Sequence, residues 1–181
     1  VVLAITSGDT GEATVTSALT FTSGNWNSAQ TVTVTGVDDN LVDGTQTSTI
    51  TVAVNDGSSD NNFDSVADQT VSVTTTDNDV AGFTITQSGG STSVAETGTT
   101  DTFTVVLNAQ PASNVVLNIT SSDTGEATVN SPLTFTSGNW NSAQTVTVTG
   151  VNDSIIDGTI TSTITIAVND GSSDNNFDPV N

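Results

Sequence analysis

Six residue types are absent from this chain of 181 residues: lysine, arginine, histidine, cysteine, methionine and tyrosine. Without lysine and arginine, the chain has no positive side chain for binding nucleic acid or an anionic membrane surface. Without histidine, cysteine or lysine, it cannot form a Ser-His-Asp triad, a thiolate nucleophile or a Schiff base. Paired carboxylates could suggest a glycosidase, but they recur in the tandem repeat described below and catalysis rarely needs a tandem array, so we expect no enzymatic activity. Zinc, copper and haem also lose their usual ligands, which leaves oxygen-bound hard cations, calcium first.

All the charged side chains of the chain are acidic. Asp and Glu number 20, so the formal net charge is -20. A high negative charge keeps long chains apart in solution, which suits a protein outside the cell; a simple acidic bias of composition is the alternative. No apolar run has the length of a membrane-spanning helix, so we expect no membrane insertion.

A long internal repeat is the strongest signal in the sequence. VVLAITSGDTGEATV at Val1 returns as VVLNITSSDTGEATV at Val115, an offset of 114 positions. About 55 of the 67 overlapping positions are identical, through residues 1–67 and 115–181, which we call the shared segment. A period of this length matches a whole small domain rather than a solenoid unit. We therefore expect residues 1–79 to be the C-terminal part of one repeat, without its opening strands, and residues 80–181 to be a second repeat, without its closing strand.

Apolar residues alternate with threonine along most of the chain, as in TVTVT at 31–35. This period of two is typical of a half-buried strand in an antiparallel sheet, and Asp-Gly and Gly-Gly pairs supply turns between the runs. Strands are predicted near 69–76, 83–87, 92–96, 101–109, 114–121, 132–136, 143–150 and 158–168. About seven short strands per repeat predict an all-β protein of antiparallel β-sandwich repeats. Trp26 and Trp140, at equivalent positions, are interpreted as packing residues rather than as a sugar-stacking platform.

Several motifs recur at a spacing that belongs to a known family. They are LTFT at 19–22, NW at 25–26, QTVTV at 30–34, the acidic turn at 38–44, TTDND at 75–79 and VAE at 94–96. Together they resemble the Calx-β-type repeats of giant bacterial surface proteins. The resemblance implies an immunoglobulin-like sandwich whose acidic loops gather at one end, where calcium-binding members hold their ions.

The resemblance also implies a set of ten candidate calcium ligands. They are Glu96 in the opening strand, Asp9 and Asp123 after the VVLAIT and VVLNIT strands, Asp38, Asp39, Asp43, Asp153 and Asp157 in the acidic turns, and Asp77 and Asp79 in the closing run. The set is thinner than the family pattern, because Gln46 and Ile160 stand where a further Glu is common.

The residues themselves also favour a cation at these loops. Two carboxylates about 5 Å apart repel by about 0.8 kcal/mol in water and about 3 kcal/mol at an effective dielectric near 20. In a chain without basic residues, only a cation or a proton relieves that repulsion. The alternative is that these aspartates are ordinary turn residues that accept backbone hydrogen bonds.

Three functions compete at this stage. The first is a structural spacer in an adhesin or surface fibre, contacting neighbouring repeats and stiffened by calcium where repeats join. The second is a self-assembling extracellular filament, in which an open sheet edge accepts a strand from another copy of the chain. The third is a carbohydrate- or surface-binding module, which would need an exposed aromatic platform.

Overall fold

A computed structural model of the chain describes residues 1–180 and contains two compact units. Unit 1 comprises Val1–Asp39 and Gly44–Asn78; unit 2 comprises Asn40–Asp43 and the chain from Asp79 onwards. The secondary structure consists of β-strands and short 3-10 turns, and the sheets are antiparallel. The prediction of an all-β protein is therefore confirmed. No described helical segment has the length and hydropathy needed to cross a membrane.

Thirteen strands and five 3-10 turns are described. In chain order the strands are β1 (Val2–Ser7), β2 (Ala13–Val15), β3 (Ala18–Thr20), β4 (Val34–Gly36), β5 (Gln46–Val54), β6 (Gln69–Thr75), β7 (Phe83–Gln87), β8 (Thr100–Leu107), β9 (Val115–Ser121), β10 (Ala127–Val129), β11 (Leu133–Phe135), β12 (Gln144–Gly150) and β13 (Ile164–Val168). The 3-10 turns are Asp56–Ser58, Asn61–Phe63, Ser88–Gly90, Asp170–Ser172 and Asn175–Phe177.

Unit 2 contains two sheets that share one hydrophobic core. Their strand orders are β10-β12-β8-β7 and β11-β9-β13. Strand β8 contributes Phe103, Val105 and Leu107 to the core, and strand β9 contributes Leu117 and Ile119. Successive side chains of a strand point to opposite faces, so alternate residues are buried while the residues between them are less buried. This arrangement is consistent with the predicted β-sandwich.

Unit 1 has a smaller core. Its sheets have the orders β3-β1-β5-β6 and β2-β4. Among its described residues, the buried hydrophobic side chains are Ile5, Ala13 and Ile50. Within residues 1–180, unit 1 has no counterparts of β7 and β8, and unit 2 has no counterpart of β6.

The shared segment forms corresponding elements in the two units. Strands β2 and β10 occupy the same positions of the segment, as do the turns Asp56–Ser58 and Asp170–Ser172. The heptapeptide QTVTVTG occurs in both copies, but it forms seven residues of strand in β12 and only three in β4. Strand β12 pairs with β10 on one side and β8 on the other, whereas β4 pairs with β2 alone. The extra partner extends the strand.

Two predicted strands differ from the structure. Residues 92–96 form no strand, because local side chains bind their backbone: the Ser93 amide donates to Asp101 at 2.8 Å and the Ala95 amide to Thr99 Oγ1 at 2.7 Å. The strand predicted at 158–168 begins only at Ile164. In unit 1 the corresponding residues of β5 pair with β6, and unit 2 offers no such partner among its described residues.

The two tryptophans have different surroundings. Trp140 is partly buried and packs against the core of unit 2, and its carbonyl accepts the Leu107 amide at 3.1 Å. Trp26 is 70% exposed. The packing interpretation therefore holds for Trp140 and not for Trp26.

Candidate metal centre

The pairing of β10 with β12 builds the acidic end of unit 2. Ala127 lies opposite Gly150 in the ladder, and the Val151 amide donates to the Glu126 carbonyl at 2.9 Å. Glu126 directly precedes β10, and Val151 begins the loop that follows β12. The ladder therefore places the Glu126 side chain beside the loop that carries Asp153 and Asp157.

Three carboxylates converge at this place. One oxygen each from Glu126, Asp153 and Asp157 lies within 4.8 Å of the others. Glu126 is half-buried, whereas both aspartates are exposed. Within residues 1–180, this is the one group of three acidic side chains so close together. We call it the acidic cluster.

The electrostatics of Glu126 reflect these surroundings. Partial burial raises its pKa above the ordinary value of 4.5, and the negative charges of Asp157, Asp153, Asp123 and Glu96 raise it further, in that order of importance. Both causes disfavour the charged form of the side chain. The cluster therefore favours whatever neutralises it, either a proton or a cation.

Glu96 approaches the cluster through a close backbone contact. The Gly150 amide donates to the Thr99 carbonyl at 3.0 Å, and a β-carbon at Gly150 would overlap the carbonyl oxygen of Ala95. Only glycine lets the segment before Glu96 lie this close to the end of β12. Glu96 itself is half-buried and contributes negative potential at Glu126.

Two of the aspartates also organise their own turns. Asp123 Oδ1 accepts the Gly125 amide at 3.0 Å, and Asp153 Oδ1 accepts the Ile155 amide at 2.7 Å. These bonds are the Asx-type interactions expected of turn residues. Each carboxylate has a second oxygen, so a turn role and a ligand role are compatible.

The other predicted ligands do not join a group of three within the described residues. Asp9 Oδ1 accepts the Gly11 amide at 3.0 Å, the counterpart of the Asp123 turn. Asp77 Oδ2 accepts the Gly44 amide at 2.8 Å, which ties Gly44 to the closing run within unit 1. Asp38 and Asp39 are exposed, and Asp43 and Asp79 are half-buried.

The donor set fits calcium. Three carboxylates offer up to six hard oxygen atoms, and calcium takes six to eight oxygens with loose geometry. The cluster contains no nitrogen or sulfur ligand, which disfavours zinc and copper. No basic side chain exists in the chain to neutralise the three charges in place of an ion.

Glu126 was missing from the predicted ligands. The available signal was its position three residues after Asp123 and directly before an alternating run, in the stretch DTGEATV. Its closeness to Asp153 depends on the β10–β12 register, which joins residues far apart in sequence.

Comparison with known proteins adds no assignment. No protein-family model matches the chain, and no curated protein matches it significantly. The acidic cluster and the paired copies of the shared segment must therefore carry any functional conclusion.

Proposed function

We propose that the chain is a non-catalytic structural spacer of a large extracellular bacterial adhesin or surface fibre, built from tandem immunoglobulin-like repeats of the Calx-β type. Calcium bound at the acidic cluster stiffens it. The observation that carries this proposal is the convergence of Glu126, Asp153 and Asp157 at one end of a β-sandwich in a chain without basic residues.

The chemistry of the cluster suits a calcium-rich exterior. Two of its three side chains are exposed, and its ligands are few, so we expect weak binding. Extracellular calcium modules bind with Kd values of roughly 0.1 to 1 mM, which matches calcium levels outside cells. An ion that bridges Glu126 to the loop after β12 would fix that loop against the sandwich. Repeats joined through such loops would form a stiffer rod.

Calcium dependence of stability tests the proposal. A ligand that binds only the native state stabilises it by about 2.7 kcal/mol at a free concentration about 100 times Kd. For a unit of about 100 residues, the melting temperature should then rise by roughly 10 to 20 °C over the value in chelator. Calorimetry would resolve the two units, and small-angle scattering would measure whether the chain lengthens with calcium.

Matched variants make that experiment specific. Glu126→Gln and Asp157→Asn each remove one charge from the cluster and should abolish most of the calcium effect. Asp56→Asn removes one charge from an exposed turn outside the cluster and should leave it intact. If all three variants respond equally to calcium, the carboxylates of the acidic cluster do not bind it and the proposal is wrong.

A filament assembled by strand exchange is the second candidate. A groove of about 780 Å³ lies in unit 2, lined in part by Ile85, Ile160 and Ile164. It borders residues 160–166, whose counterparts in unit 1, residues 46–52, pair with β6. Exposed apolar side chains beside an open strand edge favour the entry of a strand with the sequence of β6.

Electron microscopy and a peptide test the filament. The 181-residue chain should form regular filaments, and a peptide with the sequence of β6, QTVSVTT, should compete with them. A peptide in which the two valines are replaced by aspartate is the control. A chain that stays monomeric at high concentration contradicts this candidate.

A further inference from the structure

The four residues Asn40–Asp43 belong to unit 2, although they are distant in sequence from the rest of that unit. Within the unit, Leu41 forms a parallel bridge with Gln110. The Val42 amide donates to the Gln110 carbonyl at 3.0 Å, and the Gln110 amide donates to the Asn40 carbonyl at 2.7 Å. Asn40–Asp43 therefore adds a short strand-like ladder to the edge at Gln110.

The same segment also contributes to the core. Val42 is 9% exposed and belongs to the hydrophobic cluster of unit 2, together with Ala109 and Phe177. Its carbonyl accepts the side-chain amide of Asn176 at 2.7 Å. Backbone hydrogen bonds set the position of the segment, and one apolar side chain anchors it.

The counterpart of this segment in the second copy has no such site. Ile155 and Ile156 stand at the positions of Leu41 and Val42, 114 residues later. Ile155 is 65% exposed and Ile156 is fully exposed, the most exposed large apolar side chain described. Two adjacent exposed isoleucines in a chain with few apolar residues point to an interaction surface.

The flanking positions are alike in the two segments. Each segment follows one aspartate and ends on another, Asp39 and Asp43 in the first copy and Asp153 and Asp157 in the second. A glycine with a left-handed backbone comes directly after each segment, with φ 75° at Gly44 and 78° at Gly158. The residues differ between copies, but both anchoring positions remain large and aliphatic. The second segment thus keeps the features by which the first one binds.

We infer that residues 154–157 are a docking strand whose occupant is the Gln110 edge of another copy of the unit 2 fold, placed after this one in series. Ile155 would pair with the counterpart of Gln110, and Ile156 would fill the core position that Val42 fills here. This inference rests on the proposed series of repeats, but it does not require calcium.

The docking strand adjoins the acidic cluster. Asp153 directly precedes it and Asp157 is its last residue, and both belong to the acidic cluster. An ion held there would restrict the segment before it docks. Docking should therefore become tighter with calcium, although its hydrogen bonds and its apolar anchor are independent of the ion.

An extended chain tests the inference directly. Asp68–Asn181 is appended after Asn181, which preserves the 114-residue spacing and supplies a second unit 2 with its own Gln110. The natural chain has no cysteine, so a single engineered pair gives an unambiguous disulfide. The test pair is Ile155→Cys with Gln110→Cys in the added copy. Bridged residues lie within the Cα separation that a disulfide requires.

Two control pairs calibrate the rate of cross-linking. Leu41→Cys with Gln110→Cys in the original part of the chain is the positive control, since these residues are bridged. Ile155→Cys with Thr128→Cys in the added copy is the negative control. Thr128 pairs with Thr149, which pairs with Thr100 at the start of β8, whereas Gln110 follows the end of β8, so the two sites lie at opposite ends of that strand. The test pair should cross-link at a rate close to the positive control and at least tenfold faster than the negative one.

Amide exchange supplies a readout without cysteine. The Ile156 amide should exchange at least tenfold more slowly in the extended chain than in the 181-residue chain, as the counterpart of the Val42 bond forms. Cross-linking no faster than the negative control, or unchanged exchange at Ile156, overturns the inference. Calcium melting of the 181-residue chain does not need docking, so failure of the spacer proposal is measured separately.

Discussion

Phe177 and Phe63 test how differently two copies of one sequence are packed. Each lies in the same pentapeptide, DNNFD, at the end of a three-residue 3-10 turn. Phe177 is completely buried in the core of unit 2, whereas Phe63 is 45% exposed. The same substitution at the two positions therefore separates packing from local sequence.

The expected magnitudes follow from burial. Phe→Ala in a closed core costs about 3 to 5 kcal/mol, because a cavity remains. Full burial of a phenylalanine side chain is worth about 1.5 to 3 kcal/mol, so Phe63, which is 45% exposed, should lose only about 1 kcal/mol. With a urea m-value of about 2 kcal/mol per M, Phe177→Ala should lower the unfolding midpoint of unit 2 by about 2 M. Phe63→Ala should lower that of unit 1 by about 0.5 M.

Each unit contains one tryptophan, which gives a separate signal. Fluorescence of Trp140 in a Trp26→Phe background follows unit 2, and fluorescence of Trp26 in a Trp140→Phe background follows unit 1. Urea is preferable to guanidinium, whose ions would screen the charge of this acidic chain.

Comparable midpoint shifts in the two units would refute the packing difference. If Phe177→Ala fails to fold, Phe177→Leu leaves a smaller cavity and should still cost about 1 kcal/mol more than Phe63→Leu.

Three further predictions follow from individual residues. The pKa of Glu126 is raised in the folded chain, so in chelator its contribution to stability is complete below its pKa in the unfolded chain and is lost as pH rises through its pKa in the folded chain. Thermal melts between pH 4 and 8 should show this decline, and Glu126→Gln should remove it. Gly150→Ala should destabilise unit 2 by about 1 to 3 kcal/mol in urea titrations, because the new methyl group meets backbone, whereas Gly36→Ala has room and should be close to neutral. The pKa of Asp101 is lowered, chiefly by the hydroxyl of Ser88, so its contribution to stability is present above its pKa in the unfolded chain and is lost as pH falls. Asp101→Asn should therefore lose less stability than the natural chain when both are titrated below pH 4. An equal loss in the two chains would exclude this role.

The strands that could be predicted are those with a simple two-residue alternation. Strands β9 and β12 bury every second residue, and their apolar residues mark that face in the sequence. Residues 92–96 show why the pattern fails elsewhere. Their backbone amides are taken by Asp101 and Thr99, and such side-chain competition leaves no trace in hydrophobic periodicity.

The candidate site was predictable only in part. Asp153 and Asp157 stand in one turn, so their proximity follows from local sequence. Glu126 joins them through a strand register, and the Asn40–Asp43 segment joins unit 2 through a bridge to Gln110. Both depend on pairing between distant residues, which a single sequence specifies only through the finished fold.

The heptapeptide at Gln30–Gly36 and Gln144–Gly150 gives this molecule an internal standard. One chain presents the same seven residues twice, in the same solvent and at the same temperature. The first copy has a neighbouring strand on one side only, and the second copy has one on both sides. The Gly150 amide donates to the Thr99 carbonyl beside β8 at 3.0 Å, so the ratio of amide exchange rates at Gly36 and Gly150 would measure the protection that the second neighbour supplies. Intrinsic propensity cancels in that ratio, a separation that host–guest series across different proteins cannot achieve.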